Sequence, residues 1–443
     1  MKPKKIPKWL IEKMEGIDHF RLLFTDVLGT LKEIKIPRIE IFEVLEGGQG
    51  FDGSSIAGFA RLEESDLMAF PRFKSFRVLP PKISGNGKTV GIFFCDIKTP
   101  NGKPFVGCPR QLLKKIRNKA RRMGYTFNVG PELEFFLFKD KISLKPLDGR
   151  GYFDATTEGP GNKIVEEMVD AIQSIGIHIE CSHHEVAPSQ YEINAKYNEV
   201  LTVADQVMLC KWIIRQAAEI NGVYATFSAK PHKGSNGSGM HTHMSLFKGE
   251  KNSFHDKRNK YNLSLTARQF CAGILNYVGD FTAVTNQCVN SYKRLVPGFE
   301  APVYISWGQK NRSSLIRVPH YRLGKENATR IELRSPDPCC NPYLAFAVML
   351  SAGLDGINRK LKLCNPIEDN IFYMSTDERR KLKINNLPSS LQEAVKNAAR
   401  SAFVRKTLGA HIQETFLSNL LIECEDYNTH VSEFELDKTV REM

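Results

Sequence analysis

The stretch NVGPELEFFLF (128–138) decides how the rest of this chain is read. Run as a β-strand, it projects Glu132 and Glu134 from one face, because strand side chains alternate with a period of two. An isolated pair of this kind reads as a solvated strand face. Three further stretches argue for more. SHHEVAPSQYEI (182–193) supplies Glu185 and Glu192, with two histidines beside the first. Their odd spacing would split them across a straight strand, and Pro188 provides the break that lets both turn inward. NGSGMHTHMSLF (236–247) puts His241, His243 and Ser245 on one strand face and Met240, Thr242 and Met244 on the other. TRIELRSPDP (329–338) aligns Arg330, Glu332 and Arg334, with Ile331 and Leu333 behind.

Five carboxylates and a histidine on the polar sides of amphipathic strands suggest an interior lined with hard oxygen ligands. Such a site suits Mg²⁺, and the imidazole leans towards tolerance of Mn²⁺. The alternating arginines match phosphate and carboxylate, whose oxygens fit the guanidinium fork. Metal, arginine and carboxylate together are the requirements of phosphoryl transfer, where positioning and charge neutralisation supply the catalysis. Neither a Walker A sequence nor GxGxxG occurs, which argues against P-loop and dinucleotide-binding enzymes.

Outward from these stretches the chain divides. Residues 17 to about 100 read as short strands and turns, from DHFRLLFTDVLG to TVGIFFCDI, around the small-residue loop GGQGFDGSSIAG. They predict a small, mostly β N-terminal domain. KTPNGKPFVGCPR (98–110) has turn chemistry, and we set the domains at 14–104 and 105–443. Beyond it, helical periodicity at about 109–123, 161–176, 200–221, 265–286 and 341–361 alternates with strand-like runs at 125–138, 177–194, 224–231, 239–248 and 328–335. That pattern predicts an α+β domain with a largely antiparallel sheet, and a charged helical tail over 376–443.

The 443 residues, 42% hydrophobic and 25% charged, match an average globular protein of more than one domain. No apolar run is long enough for a membrane span, and the basic N-terminus leads into no signal-peptide core, so a cytoplasmic protein is expected. The ten cysteines are scattered without CxxC or zinc spacing and read as reduced thiols. A net charge of +13 could mark a nucleic-acid binder. Its lysines are diffuse and lack interleaved aromatics, which argues against nucleic acid and leaves anionic small substrates and a lysine-rich surface as the reading.

Eight stretches, in order, resemble glutamine synthetase signatures: FDGSSIAGF (51–59), GPELEFFLF, GYFD (151–154), SHHEVAPSQYEI, NGSGMHTHMS, NSYKRLVPGFEAP (290–302), NRSSLIRVP (311–319) and ELRSPDPCCNPYLAF (332–346). The likeness is to the short, α-type, non-adenylylated type I form. The resemblance implies a β-grasp N-terminal domain, a catalytic domain whose curved sheet forms an open funnel, and a dodecamer of two hexamers with active sites between subunits. It implies ATP-dependent ligation of ammonia to glutamate through γ-glutamyl phosphate, with two Mg²⁺ (or Mn²⁺) per site. One metal falls to Glu134, Glu185 and Glu192, the other to Glu132, His241 and Glu332. Arg294, Arg312 and Arg334, with Asn236 and Gly237, would hold glutamate and the phosphoryl charge, Arg312 acting in catalysis. Glu180, His243, Ser245, Arg317 and Arg330 match nucleotide positions. Asp52, Ser55, Tyr152 and Glu185 would form the ammonium site, with Asp52 taking a proton from ammonium and Glu300 closing a flap. Read without the resemblance, Asp52 is a turn residue in FDGSS.

The sequence departs from the family pattern at Ser189, where APSQ replaces APGQ, at Ala57, and at Cys339–Cys340, where DPCCNPYL replaces DPAANPYL. None of these is a ligand. The tyrosine adenylylated in longer relatives aligns with Phe372 of DNIFYMS, which has no oxygen to accept AMP, and Tyr373 lies one residue along. Control is therefore expected from metabolites or regulatory proteins, with Arg61 matching a glutamine-feedback position. Two rivals remain: a γ-glutamyl-polyamine or other amine ligase of the same fold, and a non-catalytic relative. The first should lack the compact ammonium cage; the second has no physical reason to retain five buried carboxylates.

Overall fold

The computed structural model describes residues 5–56, 66–85, 87–155, 159–299, 301–321 and 324–441. Arg61 and Glu300 lie outside them. The N-terminal sheet contains β1 (His19–Thr25), β2 (Leu31–Pro37), β3 (Gln49–Asp52), β4 (Asp66–Pro71), β5 (Arg77–Leu79) and β6 (Val90–Lys98). Its order is β2-β1-β6-β4-β3, with β5 also on β6; β1 and β6 run parallel and the other pairs antiparallel. The central strand VGIFFCDIK is an almost continuous apolar run because both its faces are covered. Phe93, Cys95 and Ile97 pack with Phe20, Leu22 and Phe24 in a local core, beside residues of α1 (Lys8–Lys13) and α2 (Ile41–Gly47). Ile92 and Phe94 join the larger core of the rest of the chain.

The short helix α3 (Pro81–Ser84) precedes β6, and α4 (Pro109–Arg122) follows it. Arg110 on α4 ties the two halves together. It reaches Asp96 of β6 at 2.5 Å and grips Asp205 with Nε and Nη2, each at 2.8 Å. All three side chains are buried, so removing one would strand a charge away from water.

The second sheet has ten strands: β7 (Thr126–Phe138), β8 (Ile179–His184), β9 (Gln190–Ala195), β10 (Asn198–Glu199), β11 (Tyr224–Thr226), β12 (Thr242–Lys248), β13 (Lys251–Asn252), β14 (Tyr304–Gly308), β15 (Ser314–Arg317) and β16 (Ile331–Leu333). The main path is β14-β15-β16-β12-β7-β9-β8, with β10 and β11 on β7 and β13 on β12; among the described residues only β14 and β15 pair in parallel. The expected α+β class, with a β-grasp domain and a curled, largely antiparallel catalytic sheet, is what the chain adopts. Helices α5 (Gly161–Ser174), α6 (Val200–Ile220), α7 (Leu265–Thr285), α8 (Ser291–Arg294) and α9 (Pro342–Asn358) follow in order. α9 is buried almost all round, as a helix apolar on every side should be. A Cβ at Gly273 of α7 would overlap the Ala352 carbonyl of α9, so the close packing of these helices depends on glycine. The tail adds α10 (Thr376–Lys381), α11 (Leu391–Arg400), α12 (Ala402–Leu408), α13 (Ala410–Thr429) and α14 (Glu433–Leu436). Among the described residues no helix is long and apolar enough to cross a membrane.

Candidate active site

β7 lays out the site. Its outer residues Leu133, Phe135 and Leu137 enter the main core, whereas Phe136 and Phe138, on the face of Glu132 and Glu134, close a small cluster with Ala187. That face therefore passes from aromatic to acidic along one strand, as period two requires. β9 pairs with it so that Glu134 stands opposite Glu192 and Glu132 opposite Asn194. β12 and β16 pair His243 with Glu332, and β15 sets Arg317 opposite Glu332.

The run expected as one broken strand over 177–194 is the hairpin β8–β9. It turns through Glu185–Ser189, closed by Glu185 N–H donating to Gln190 O at 2.7 Å and Gln190 N–H to Ala187 O at 3.1 Å. Glu185 thus stands on the turn and Glu192 on the returning strand. The strand expected at 239–248 starts only at Thr242, leaving His241 just before it, and that at 328–335 is confined to Ile331–Leu333.

These elements enclose a cleft of about 460 Å³ lined by Glu132, Glu134, Tyr152, Glu185, Glu192, Asn236, Gly237, His241, Arg294, Arg312, Arg317, Glu332 and Arg334. Two groups in it have donor atoms within 4.8 Å of one another: Glu132, His241 and Glu332, and His183, Glu185 and Glu192. Glu134 lies between them. Its Oε1 is 3.9 Å from His241 Nδ1, while its Oε2 accepts from Gln190 Nε2 at 3.0 Å and from Gly239 N–H at 2.8 Å. A Cβ at Gly237 would overlap the Ala229 carbonyl, and one at Gly239 would sit 2.6 Å from an Arg294 nitrogen. The NGSG stretch thus needs its glycines for close approach.

The electrostatics divide the site. Glu132 is held well below the usual carboxylate range, although burial opposes this, because His241 Nδ1 and His243 Nε2 each stand 2.9 Å from its oxygens. Glu332 is buried and also held low, by the histidines and Arg334; Arg334 Nε and Arg317 Nη1 each approach it to 3.2 Å. Burial and then the Glu192 charge push Glu185 up to about 7. Glu134 is pushed well up by burial, Glu192 and Glu185 in that order. Carboxyl groups raised by each other's charge are the condition a divalent cation relieves, and the donors are the oxygens and imidazole such ions take. The residues present therefore fit a metal site.

A second cavity, of about 290 Å³, adjoins the cleft through Glu132 and Asn194. Glu180, His243, Ser245 and Arg330 line it. Four of the five positions matched to nucleotide binding are thus brought together, and Arg317 faces the neighbouring cleft. Arg294 is buried, donating to Ser335 O at 2.8 Å and Arg334 O at 3.1 Å, and Arg334 Nη1 donates to Arg312 O.

Asp52 and Ser55 are not among the described residues lining either cavity. Asp52 is exposed at the end of β3, its Oδ1 accepting from Ser54 N–H at 2.8 Å and Ser54 Oγ at 2.7 Å. Phe372 packs 5.9 Å from the Tyr304 ring, whereas Tyr373 is 89% exposed.

Sequence reasoning passed over several groups that brace the candidate ligands. Gln190 and Asn194 share the face of Glu192; Asn194 Nδ2 donates to it at 2.6 Å. Alternation along β9 was the signal available for both. His183 Nε2 lies 3.3 Å from Glu192. Asp148 has no such signal. From a loop, its carboxylate accepts from Tyr191 Oη at 2.7 Å and Ser189 N–H at 3.0 Å and faces His184 Nε2 at 3.0 Å, which holds it well below its ordinary range. His184 is raised in turn, Asp148 outweighing burial, and its Nδ1 lies 2.6 Å from Glu185 O.

Fold and site together define a two-domain enzyme with an acidic, arginine-flanked cleft at the mouth of a curled sheet. Comparison with known proteins narrows this. Residues 16–100 match the model of the glutamine synthetase beta-Grasp domain, and residues 106–439 that of the glutamine synthetase catalytic domain. The chain is 46% identical to glutamine synthetase of Thermotoga maritima over 435 residues, covering 97% of this chain and 98% of that one. A structure of GmaS in complex with ADP superposes with a TM-score of 0.87 at 30% identity, covering 97% and 98% of the two chains. That of Plasmodium falciparum glutamine synthetase gives 0.87 at 26%, covering 99% and 100%. The chain belongs to the glutamine synthetase family.

Proposed function

We infer that this protein is a glutamine synthetase, ligating ammonia to the γ-carboxylate of L-glutamate with hydrolysis of ATP to ADP and phosphate. The observation that carries the reading is the junction of two spaces. A cavity bearing the nucleotide-matched residues opens, through Glu132, onto a cleft where five carboxylates meet four arginines.

Glu180, His243, Ser245 and Arg330 would hold the nucleotide, with Arg317 at the junction. Arg294, Asn236 and Gly237 would hold glutamate, and Arg334 and Arg312 would bind oxygens of the transferring phosphoryl group. Glu132, His241 and Glu332 would hold one divalent cation, and Glu134, Glu185 and Glu192 a second, with His183 beside them. Bound there, Mg²⁺ or Mn²⁺ supplies charge neutralisation for phosphoryl transfer. The acyl phosphate formed from glutamate then meets ammonia at a site provided by Tyr152 and Glu185. Asp52 and Ser55 would complete that site from an adjacent subunit of a homo-oligomer, a dodecamer by resemblance, and Glu300 would keep water out. Asp52, ionised and solvated, can accept the ammonium proton.

The test is direct. Purified protein given glutamate, ammonium, ATP and Mg²⁺ forms glutamine and phosphate in equal amounts, and stops when the metal is chelated. A preference for methylamine or polyamines over ammonium would move the protein to the amine ligases. No product with any acceptor would refute the ligase reading.

A further inference from the structure

Behind the arginines lie two thiols that the ligase reaction does not use. Cys288 is in the loop from α7 to α8, and Cys339 in the turn between β16 and α9. The Cys288 side chain meets that of Cys339, whose Sγ donates to Phe227 O at 3.2 Å, and both residues are partly exposed. The two loops are laced together around them. Asp337 N–H donates to Thr285 O at 3.2 Å, Asn286 Nδ2 donates to Ser335 O and Asp337 Oδ2 at 2.8 Å each, and Cys339 N–H donates to Asp337 Oδ1 at 3.0 Å.

The pair is asymmetric. Lys211 and Arg215 of α6 and Arg294 direct their charges at Cys339. The carboxyl groups of Asp337 and Glu423 face Cys288, whose hydrogen bond with Cys339, with burial second, keeps it protonated. Thiolates form, and react with peroxides, in partly exposed electropositive surroundings, most usefully with a second thiol in reach to resolve the product. Lys211 Nζ, donating to Pro338 O at 2.6 Å, stands beside Cys339, and Cys288 is the second thiol in reach. The neighbouring Cys340 is buried.

We propose that Cys288 and Cys339 form a reversible disulfide, Cys339 being oxidised first, and that closing it weakens the cleft's hold on glutamate. In the first step the Cys339 thiolate attacks hydrogen peroxide, breaking the O–O bond to give a sulfenic acid and hydroxide. In the second the Cys288 sulfur displaces the sulfenic oxygen, which leaves as water with the thiol proton. Two thiols and one peroxide thus become one disulfide and two waters, and a dithiol reductant reverses the change.

The bond brings the sulfurs from contact to about 2.05 Å and draws the loops together. Arg294 follows Cys288 on α8 and donates to the carbonyls of Arg334, Ser335 and Pro336, just before Cys339. Movement at the sulfurs therefore reaches the guanidinium on the glutamate side. The effect on activity rests on the proposed function; the bond does not.

The full-length protein, reduced and then treated with hydrogen peroxide, should lose the mass of two hydrogens. Non-reducing peptide mapping should join the peptides carrying Cys288 and Cys339, and dithiothreitol should separate them. The oxidised enzyme should show KM for glutamate raised about tenfold, the scale of one weakened charged hydrogen bond, with KM for ATP unchanged. Cys288→Ser should retain the activity of the reduced protein and be immune to this rise. A cross-link elsewhere, or sulfinic acid at Cys339 with no cross-link, overturns the pair. A 288–339 cross-link with unchanged KM overturns its link to the cleft. A reduced protein that makes no glutamine strikes at the ligase reading, and peptide mapping then decides the bond by itself.

Discussion

Ser189 holds a backbone angle that most side chains avoid, with φ at +56°. Glycine, the residue of the family pattern, reaches it without strain. Here the buried serine is held by its own contacts: Oγ accepts from Asp148 N–H at 2.9 Å, and its N–H donates to Asp148 Oδ1 at 3.0 Å. Ser189→Ala keeps the strained angle and leaves the Asp148 N–H without its acceptor, so it should cost about 1–3 kcal/mol. Ser189→Gly loses the same hydrogen bond but relieves the angle, and should cost less. Melting points in the order Ser, Gly, Ala check this; alanine matching serine would show that the hydroxyl contributes nothing. Asp52 makes a second residue-scale case. Hydrogen bonds from Ser54 hold its carboxyl below the usual range, so it is ionised at neutral pH. If it takes a proton from ammonium, Asp52→Ala should cost far more with ammonium than with hydroxylamine, which is uncharged and already nucleophilic. Equal losses in the two steady-state assays would leave Asp52 a turn residue.

The strands around β7 set the next scale, because their register brings the acidic groups together. Glu185 is raised from an ordinary 4.5 to about 7 by burial and by Glu192. Between those values the folded, metal-free protein binds more protons than the unfolded chain, so this group's contribution to stability is full below pH 4.5 and lost as pH rises through 7. A divalent cation bound at the proposed site would replace the proton. Its affinity should therefore climb from pH 6 to 8, with proton uptake by the buffer on binding, and added Mn²⁺ should raise the melting point more at pH 8 than at pH 6. Calorimetry in two buffers of different ionisation enthalpy reads the proton directly, and an affinity flat across this range would remove Glu185 from the metal site. Much of this arrangement was legible in the sequence. Period-two alternation placed Glu132 with Glu134 and Arg330 with Glu332, and Pro188 marked the turn between Glu185 and Glu192. Alternation carries no information about partners distant in sequence, which is why Asp148 was missed. Nor does it fix strand length: β16 is only three residues long.

At the scale of the whole molecule, one chain holds a cleft without the Asp52 and Ser55 that the proposed ammonium site calls for. Asp52 ends β3 of the N-terminal sheet and lines neither cavity of its own chain. Either it is a turn residue, or it serves the cleft of a neighbour. A head-to-tail ring makes the second arrangement natural, since every subunit then offers one N-terminal edge and receives one. The alternatives separate in mixed oligomers. Asp52→Ala subunits keep an intact cleft, and Glu332→Gln subunits keep an intact Asp52; each variant alone should be nearly inactive towards ammonium. Unfolded together in equal amounts and reassembled, they pair an intact Asp52 with an intact cleft at about a quarter of the interfaces, by random assembly in a heterologous ring. Activity should return to roughly that fraction of wild type, while each variant refolded alone stays inactive. A site built within one chain predicts no recovery at any mixing ratio, because every cleft would carry its own subunit's defect. Recovery should also follow the product of the two subunit fractions, greatest at equal mixing and falling towards zero at either extreme.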